Sequence, residues 1–265
     1  MYAFEFEKPT TVADAVKALA SEEAMALGGG QTLIPSLKQR LAMPSKLVAL
    51  AGIADIKGVK VEGGTIVAGG GATHHAIAEA TAEAAPAVAD LANHIGDPAV
   101  RHRGTIGGSI ANNDPSACWP AAALGLGATI VAEGPNGRRE IAADDFFLGM
   151  FDTALDEGEL VVEVRLPIPK RASYQKFVQP ASRFALVGVF AAETDSGVRV
   201  AVTGASEAGV FRWSEAEQAL ASNFSPDAVA SLSVPEDGMI SDLHADPAYR
   251  AHLVKVMTKR AVAAA

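Results

Sequence analysis

Residues 95–117 read IGDPAVRHRGTIGGSIANNDPSA. The stretch is crowded with Gly, Asn, Asp and Pro and has no convincing helical or strand period. A long irregular segment inside a compact domain is usually functional. At its centre, Gly104-Thr105-Ile106-Gly107-Gly108-Ser109 alternates small residues with hydroxyls, a pattern that leaves backbone N–H groups available to a ligand. Arg101 and Arg103 stand just before this loop, and Asn112, Asn113 and Asp114 just after it. The arginines suit a diphosphate and the Asn and Asp side chains suit sugar hydroxyls. The same residues also suit a cluster of Asx turns that cap their own backbone.

Upstream, the apolar run Ala24–Leu27 leads into Gly28-Gly29-Gly30-Gln31-Thr32. Consecutive amides at such a turn form a concave anion site, with Thr32 adding a hydroxyl and Gln31 an amide. A plain strand-to-helix turn requiring positive φ reads equally well at this point. Neither loop is a GxGxxG fingerprint, and the chain has no P-loop, GxSxG elbow or HExxH. His74-His75 are adjacent on a helix and so diverge, which favours a polar helix start over a metal pair. Cys118, the only cysteine, has no evident base beside it and reads as a structural thiol.

Around these loops, Val12, Ala15, Val16 and Leu19 have helical spacing behind an N-cap at Thr10 or Thr11. Residues 31–41 read as a short helical segment, Leu47–Leu50 as a strand and Val59–Ala68 as a hairpin around Glu62-Gly63-Gly64. Helices follow near 73–80, 86–94 and 120–127. Thr129–Ala132 and Arg138–Ile141 form a hairpin at Pro135-Asn136-Gly137, and Leu160–Leu166 is a strand. Beyond Pro169, three strands are expected at Tyr174–Val178, Ala185–Thr194 and Val198–Gly204, with a turn at Asp195-Ser196-Gly197. Helices are expected at 213–221, 226–232 and 247–263. There is no regular βαβαβ alternation, so the class is α+β, with a boundary giving domains 1–170 and 171–265.

The 265 residues suffice for one large domain or two modest ones, with 49% hydrophobic and 20% charged residues. A net charge of −9 argues against nucleic acid or an anionic membrane surface. A single cysteine cannot hold an iron–sulfur cluster. No basic-then-apolar leader or spanning apolar run is evident, which makes cytoplasm the expectation.

Three stretches carry a family resemblance. GGGQTLIPSLKQRLAMPSKLVAL (28–50), the segment from Ile95 to Ala128, and YQKFVQPASRFALVGVFAA (174–192) resemble FAD-binding medium subunits of molybdenum hydroxylases of the carbon-monoxide-dehydrogenase and xanthine-dehydrogenase type. The likeness runs nearly the whole chain in order. It implies a PCMH-type (vanillyl-alcohol-oxidase-like) FAD domain in two subdomains, then a small C-terminal α/β domain with a three-stranded antiparallel sheet. It places Ala26, Leu27, Gly28, Gly29, Gly30, Gln31, Thr32 and Leu33 along the pyrophosphate and ribityl side of FAD. Gly104, Thr105, Ile106, Gly107, Gly108 and Ser109 would form a second clamp. Asn112 and Asp114 would lie in the same loop, and Leu160 and Val161 near the flavin ring, with Thr73 and Lys176 as further candidates. Many relatives carry an acid where Cys118 stands, so that one acceptor is lost here, while most implied contacts are main-chain.

The resemblance also implies a division of labour. A large subunit would hold molybdenum–pterin and choose the substrate, and a small one would carry two 2Fe–2S clusters. This chain would pass electrons through FAD to an external acceptor, with no catalytic side chain and no metal of its own, in a dimer of heterotrimers. Two other readings are a self-sufficient flavin oxidase or dehydrogenase, and an assembly module without flavin.

Overall fold

The computed structural model describes residues 1–265. The chain begins with β1 (Glu5–Glu7), α1 (Val12–Leu19), β2 (Ala24–Leu27), α2 (Leu33–Lys38), β3 (Lys46–Ala49), β4 (Val59–Glu62) and β5 (Thr65–Gly69). It continues through α3 (His74–Thr81), α4 (Pro86–Asn93), α5 (Pro98–Arg101), α6 (Ile106–Asn112) and α7 (Cys118–Leu126). Next come β6 (Thr129–Gly134), β7 (Gly137–Ala142), α8 (Ala143–Phe146), β8 (Phe147–Gly149), β9 (Asp152–Thr153) and β10 (Leu160–Pro167). The last part holds β11 (Arg171–Val178), β12 (Ala185–Thr194), β13 (Gly197–Ser206), β14 (Gly209–Arg212), α9 (Ser214–Ser222) and α10 (Pro247–Ala264).

Local chemistry explains several of these boundaries. Thr11 caps α1 by accepting the Asp14 N–H, and Val12, Ala15 and Leu19 form its buried stripe. Its partners are Val48, Ile53, Val131 and Leu160, so α1 seals a small core between a parallel sheet (β1-β3-β2) and an antiparallel one (β4-β5-β10-β6-β7).

The helix α7 is apolar on every side, and all nine of its residues are buried. It lies against α4, α6 and β10 on one side and β12 and β13 on the other, and the main core, including Trp119, Phe190 and Tyr174, gathers around it. The opposite face of the β11–β14 sheet is covered by α9 and α10 through Leu220, Leu253, Val254 and Met257. With both faces covered, β12 needs no polar alternation, which is why ALVGVFAA (185–192) reads as one apolar run. No helix is long and apolar enough to cross a membrane.

The structure departs from the sequence reading in four places. The C-terminal sheet has four strands, not three. The extra strand, β14, is only four residues long and follows the turn at Glu207-Ala208, too short to show a period. The segment 95–117 is not irregular throughout but contains α5 and α6, capped by Asp97 on Val100 N and Thr105 on Gly108 N. The poor helix formers Gly107 and Gly108 are tolerated because Ile106 and Ile110 are fully buried. The helix expected at 120–127 starts earlier, at Cys118, and the one at 226–232 is a short 3₁₀ turn, Pro226–Val229.

Candidate functional site

At the end of β2 the chain turns through Gly28–Thr32 into α2. None of the backbone N–H groups of Gly28, Gly29, Gly30, Gln31 and Thr32 donates to a protein acceptor. Gly30 holds a left-handed φ of 73°, and Gln31 Nε2 donates back to the Gly29 carbonyl at 3.2 Å. Unpaired consecutive amides are the donor set of an anion-binding nest.

The loop at 104–109 works differently. Apart from that of Thr105, its amides are not free, contrary to the sequence reading: Ile106 N donates to Ala72 O at 3.1 Å, Gly107 N to Gly70 O at 2.9 Å and Gly108 N to Thr105 Oγ1 at 3.1 Å. The Gly104 carbonyl in turn accepts His74 N at 3.0 Å. The loop is a clasp that fastens α6 to the Gly70–Ala72 backbone. Glycine is required there by close approach: a Cβ on Gly107 would run into the backbone of Gly70, and one on Gly29 into the carbonyl of Arg103. The two glycine loops therefore touch main chain to main chain.

Between them opens a cleft of about 960 Å³. Of the residues singled out from sequence, Ala26, Gly28–Thr32, Leu33, Thr73, Gly104, Thr105, Gly107–Ser109, Asn112, Asp114, Leu160, Val161 and Lys176 line it. Leu27 and Ile106 do not. Ile106 is fully buried in the main core, and Leu27 turns its Cδ1 back toward Gly30.

The polar groups divide into those free for a ligand and those already engaged. Arg103 lines the cleft, whereas Arg101 is turned away and bonds the carbonyls of Ile95 and Gly96. Asn113 is spent on structure, its Nδ2 donating to Gly149 O and Asp152 O. Asp114 Oδ1 accepts Ser116 N at 2.8 Å. Burial pushes the Asp114 carboxyl above the usual range, and that one bond only partly offsets it. Lys176 reaches across from β11 to donate to His94 O at 2.6 Å, Arg183 O at 3.0 Å and Cys118 Sγ at 3.6 Å. It thus braces the C-terminal sheet against the cleft wall.

The sequence reading missed several lining residues, including Gly70, Gly71, His74, Ile95, Arg183 and Phe184. His74 is the least expected of them. It is buried and its Nδ1 accepts Trp119 Nε1–H at 2.9 Å. Burial, then the charge of Arg101, lowers its pKa to about 4. The partners lie 45 residues apart, so no local signal pairs them. His75 diverges from it and stacks on His102 at 3.9 Å.

These groups fit a flavin dinucleotide. The five free amides supply donors for a diphosphate. Leu50, Ile95, Leu160 and Val161 supply apolar wall for a planar ring. Lys57, Arg103, Lys176 and Arg183 outnumber the lining carboxylates Asp114 and Glu159, and Glu159 is paired with Arg139. An acidic chain thus presents a locally cationic cleft.

Residues 2–169 match the model of the FAD binding domain in molybdopterin dehydrogenase, and the chain belongs to that family. The carbon monoxide dehydrogenase medium chain of Hydrogenophaga pseudoflava is 34% identical, over 99% of this chain and 96% of that one. The nicotine 6-hydroxylase medium subunit of Paenarthrobacter nicotinovorans is 32% identical, over 98% and 96%. A solved carbon monoxide dehydrogenase of H. pseudoflava, lacking the Mo-pyranopterin moiety of its cofactor, superposes with a TM-score of 0.90, covering 100% of this chain and 97% of that chain.

Proposed function

We propose that this chain is the FAD-binding medium subunit of a heteromeric molybdenum hydroxylase. The observation that carries the reading is the run of unpartnered amides from Gly28 to Thr32 opening onto a cationic cleft, in a chain matched end to end by proteins named as medium chains. The bound flavin supplies reversible electron transfer; the chain positions it and excludes other reactions. Gly28–Thr32 would hold the diphosphate. Ser109 and Asn112 would face sugar hydroxyls, and Leu160 and Val161 would flank the ring. The clasp at Gly104–Gly108 would set the distance between the cleft walls.

In this reading residues 1–170 form the flavin unit, with one subdomain on the parallel sheet and the other on the five-stranded sheet, and 171–265 form the C-terminal unit. A large molybdenum–pterin subunit and a small 2Fe–2S subunit complete a dimer of heterotrimers, and substrate choice lies with the large subunit. The full-length relatives named as medium chains disfavour a self-sufficient oxidase, and the open nest disfavours a flavin-free module.

The test is an absorption spectrum of the purified chain with the released cofactor weighed by mass spectrometry. One FAD per chain is expected, and Gly29→Val, whose side chain would collide with the Arg103 carbonyl, should be flavin-poor. A colourless protein that takes up no added FAD would overturn the proposal.

A further inference from the structure

Trp119 fixes which nitrogen of His74 carries the proton. The indole is fully buried in α7, and its Nε1–H donates to His74 Nδ1 at 2.9 Å. An indole N–H can only donate, so Nδ1 presents its lone pair. Burial, then the charge of Arg101, keeps the ring neutral, and a neutral imidazole has one ring proton. That proton is therefore on Nε2. His74 is 5% exposed, and the bond from Trp119 is the only hydrogen bond its ring makes. Yet Nε2 is not sealed in: the fully enclosed side-chain atoms without a partner belong to Asn113, Tyr174 and Arg250. His74 lines the cleft, so its free N–H opens there. A Cβ on Gly104 would lie 2.6 Å from Nε2, and a Cβ on Gly29 would lie 2.6 Å from Gly104 Cα. The N–H thus stands one glycine away from the open amides of Gly28–Thr32. A nearly buried donor without an acceptor is costly, and an acceptor brought into the cleft removes that cost.

We propose that His74 is a ligand-binding residue of the cleft, whose Nε2–H donates to an oxygen at the diphosphate end of the flavin dinucleotide. The inference rests on the FAD reading above and adds a side-chain donor to a set that is otherwise main-chain. The donor is neutral, so it contributes direction and not charge. Its direction is held from two sides. The backbone N–H of His74 is bound to the Gly104 carbonyl at 3.0 Å, and the far edge of the ring is bound to Trp119. Trp119 is thereby a positioning residue: it touches no ligand, but it sets the tautomer that presents a donor to the cleft. ADP, which has the diphosphate and no flavin ring, should sense the same N–H.

The experiment takes the full chain, stripped of flavin and isotopically labelled at its histidine nitrogens, and titrates it with FAD and separately with ADP. Proton–nitrogen correlation spectra of the free chain should show His74 protonated at Nε2 and bare at Nδ1. Either ligand should slow the exchange of the Nε2 proton and move it downfield, a signature that a purely structural histidine would not give. Calorimetry supplies the affinities. His74→Phe, which keeps a ring but no N–H, should bind both ligands about tenfold more weakly, the effect of one lost hydrogen bond. His74→Gln, whose amide can accept from Trp119 and donate to the cleft, should recover most of that loss. If His74→Phe does not fold, the wild-type spectra decide alone. A proton on Nδ1, an Nε2 proton that neither ligand moves, or equal affinities in wild type and His74→Phe would overturn the proposal. A response to FAD but not to ADP would overturn its assignment to the diphosphate end. A wild-type chain that binds neither ligand would instead overturn the flavin reading, and this inference with it.

Discussion

Acidification should weaken this protein through His74. The ring is buried, accepts a hydrogen bond from the Trp119 indole, and has a pKa lowered from 6.5 to about 4, first by burial and then by Arg101. Protonation would set one N–H against another and place a charge in the core. Between pH 6.5 and 4 the unfolded chain binds a proton that the folded chain refuses. The stability from this group is therefore fully present above pH 6.5 and drains as pH falls toward 4. At roughly 1.4 kcal/mol per pH unit, the loss is about 2 kcal/mol by pH 5 and about 3 kcal/mol by pH 4. Urea unfolding followed by tryptophan fluorescence at pH 7.5 and 5.0 measures it. His74→Gln keeps an acceptor for the indole but does not titrate, so its stability should fall about 2 kcal/mol less over the same interval. Equal losses in the two proteins would refute the reasoning. Since His74 also bonds the Gly104 carbonyl through its backbone N–H, flavin retention at pH 5 should follow the same difference.

Two more outcomes follow from the packing. Gly107→Ala drives a methyl into the Gly70 backbone and strains the 2.9 Å bond from Gly107 N to Gly70 O. It should cost about 1–3 kcal/mol and lower the melting temperature by several degrees, whereas Gly58→Ala, with open space around it, should change it little; calorimetry on both checks this. Asp144→Ala removes the carboxylate that Arg199 and Arg212 share at 2.6 and 3.4 Å, and because Asp144 is 43% exposed denaturant unfolding should register only about 1 kcal/mol. Burial would raise the Asp144 pKa, but the hydrogen bond and charge of Arg199 outweigh it and hold it below 3.8. That contribution is present above pH 3.8 and lost as pH falls through the lowered value, so variant and wild type should converge in acid.

What the sequence revealed was what is local. The Thr11 cap, the Pro135-Asn136-Gly137 turn and the unbroken apolar run of β12 are set by neighbours in the chain, and they appear where the residues put them. The glycine turn at Gly28–Thr32, with its open amides, was legible for the same reason. The clasp was misread because its amides are consumed by Gly70–Ala72, more than thirty residues away, a tertiary fact that no local pattern encodes. Arg101 and Arg103 looked equivalent, yet they differ in use because Arg101, in the last turn of α5, folds back on the Ile95 and Gly96 carbonyls. β14 was hidden by its length, and His74 by the distance to its indole partner.

The bond from Lys176 to the His94 carbonyl spans 82 residues, and it bears on how the protein is made. During synthesis both glycine loops emerge long before β11 does. A nascent chain halted at β10 would have its open amides at Gly28–Thr32 but not the brace on the cleft wall, so on the proposed reading cofactor capture should come late. A ribosome-stalled or clipped product lacking β11 should leave the cell pale, and flavin content would then serve as a receipt that translation passed Lys176.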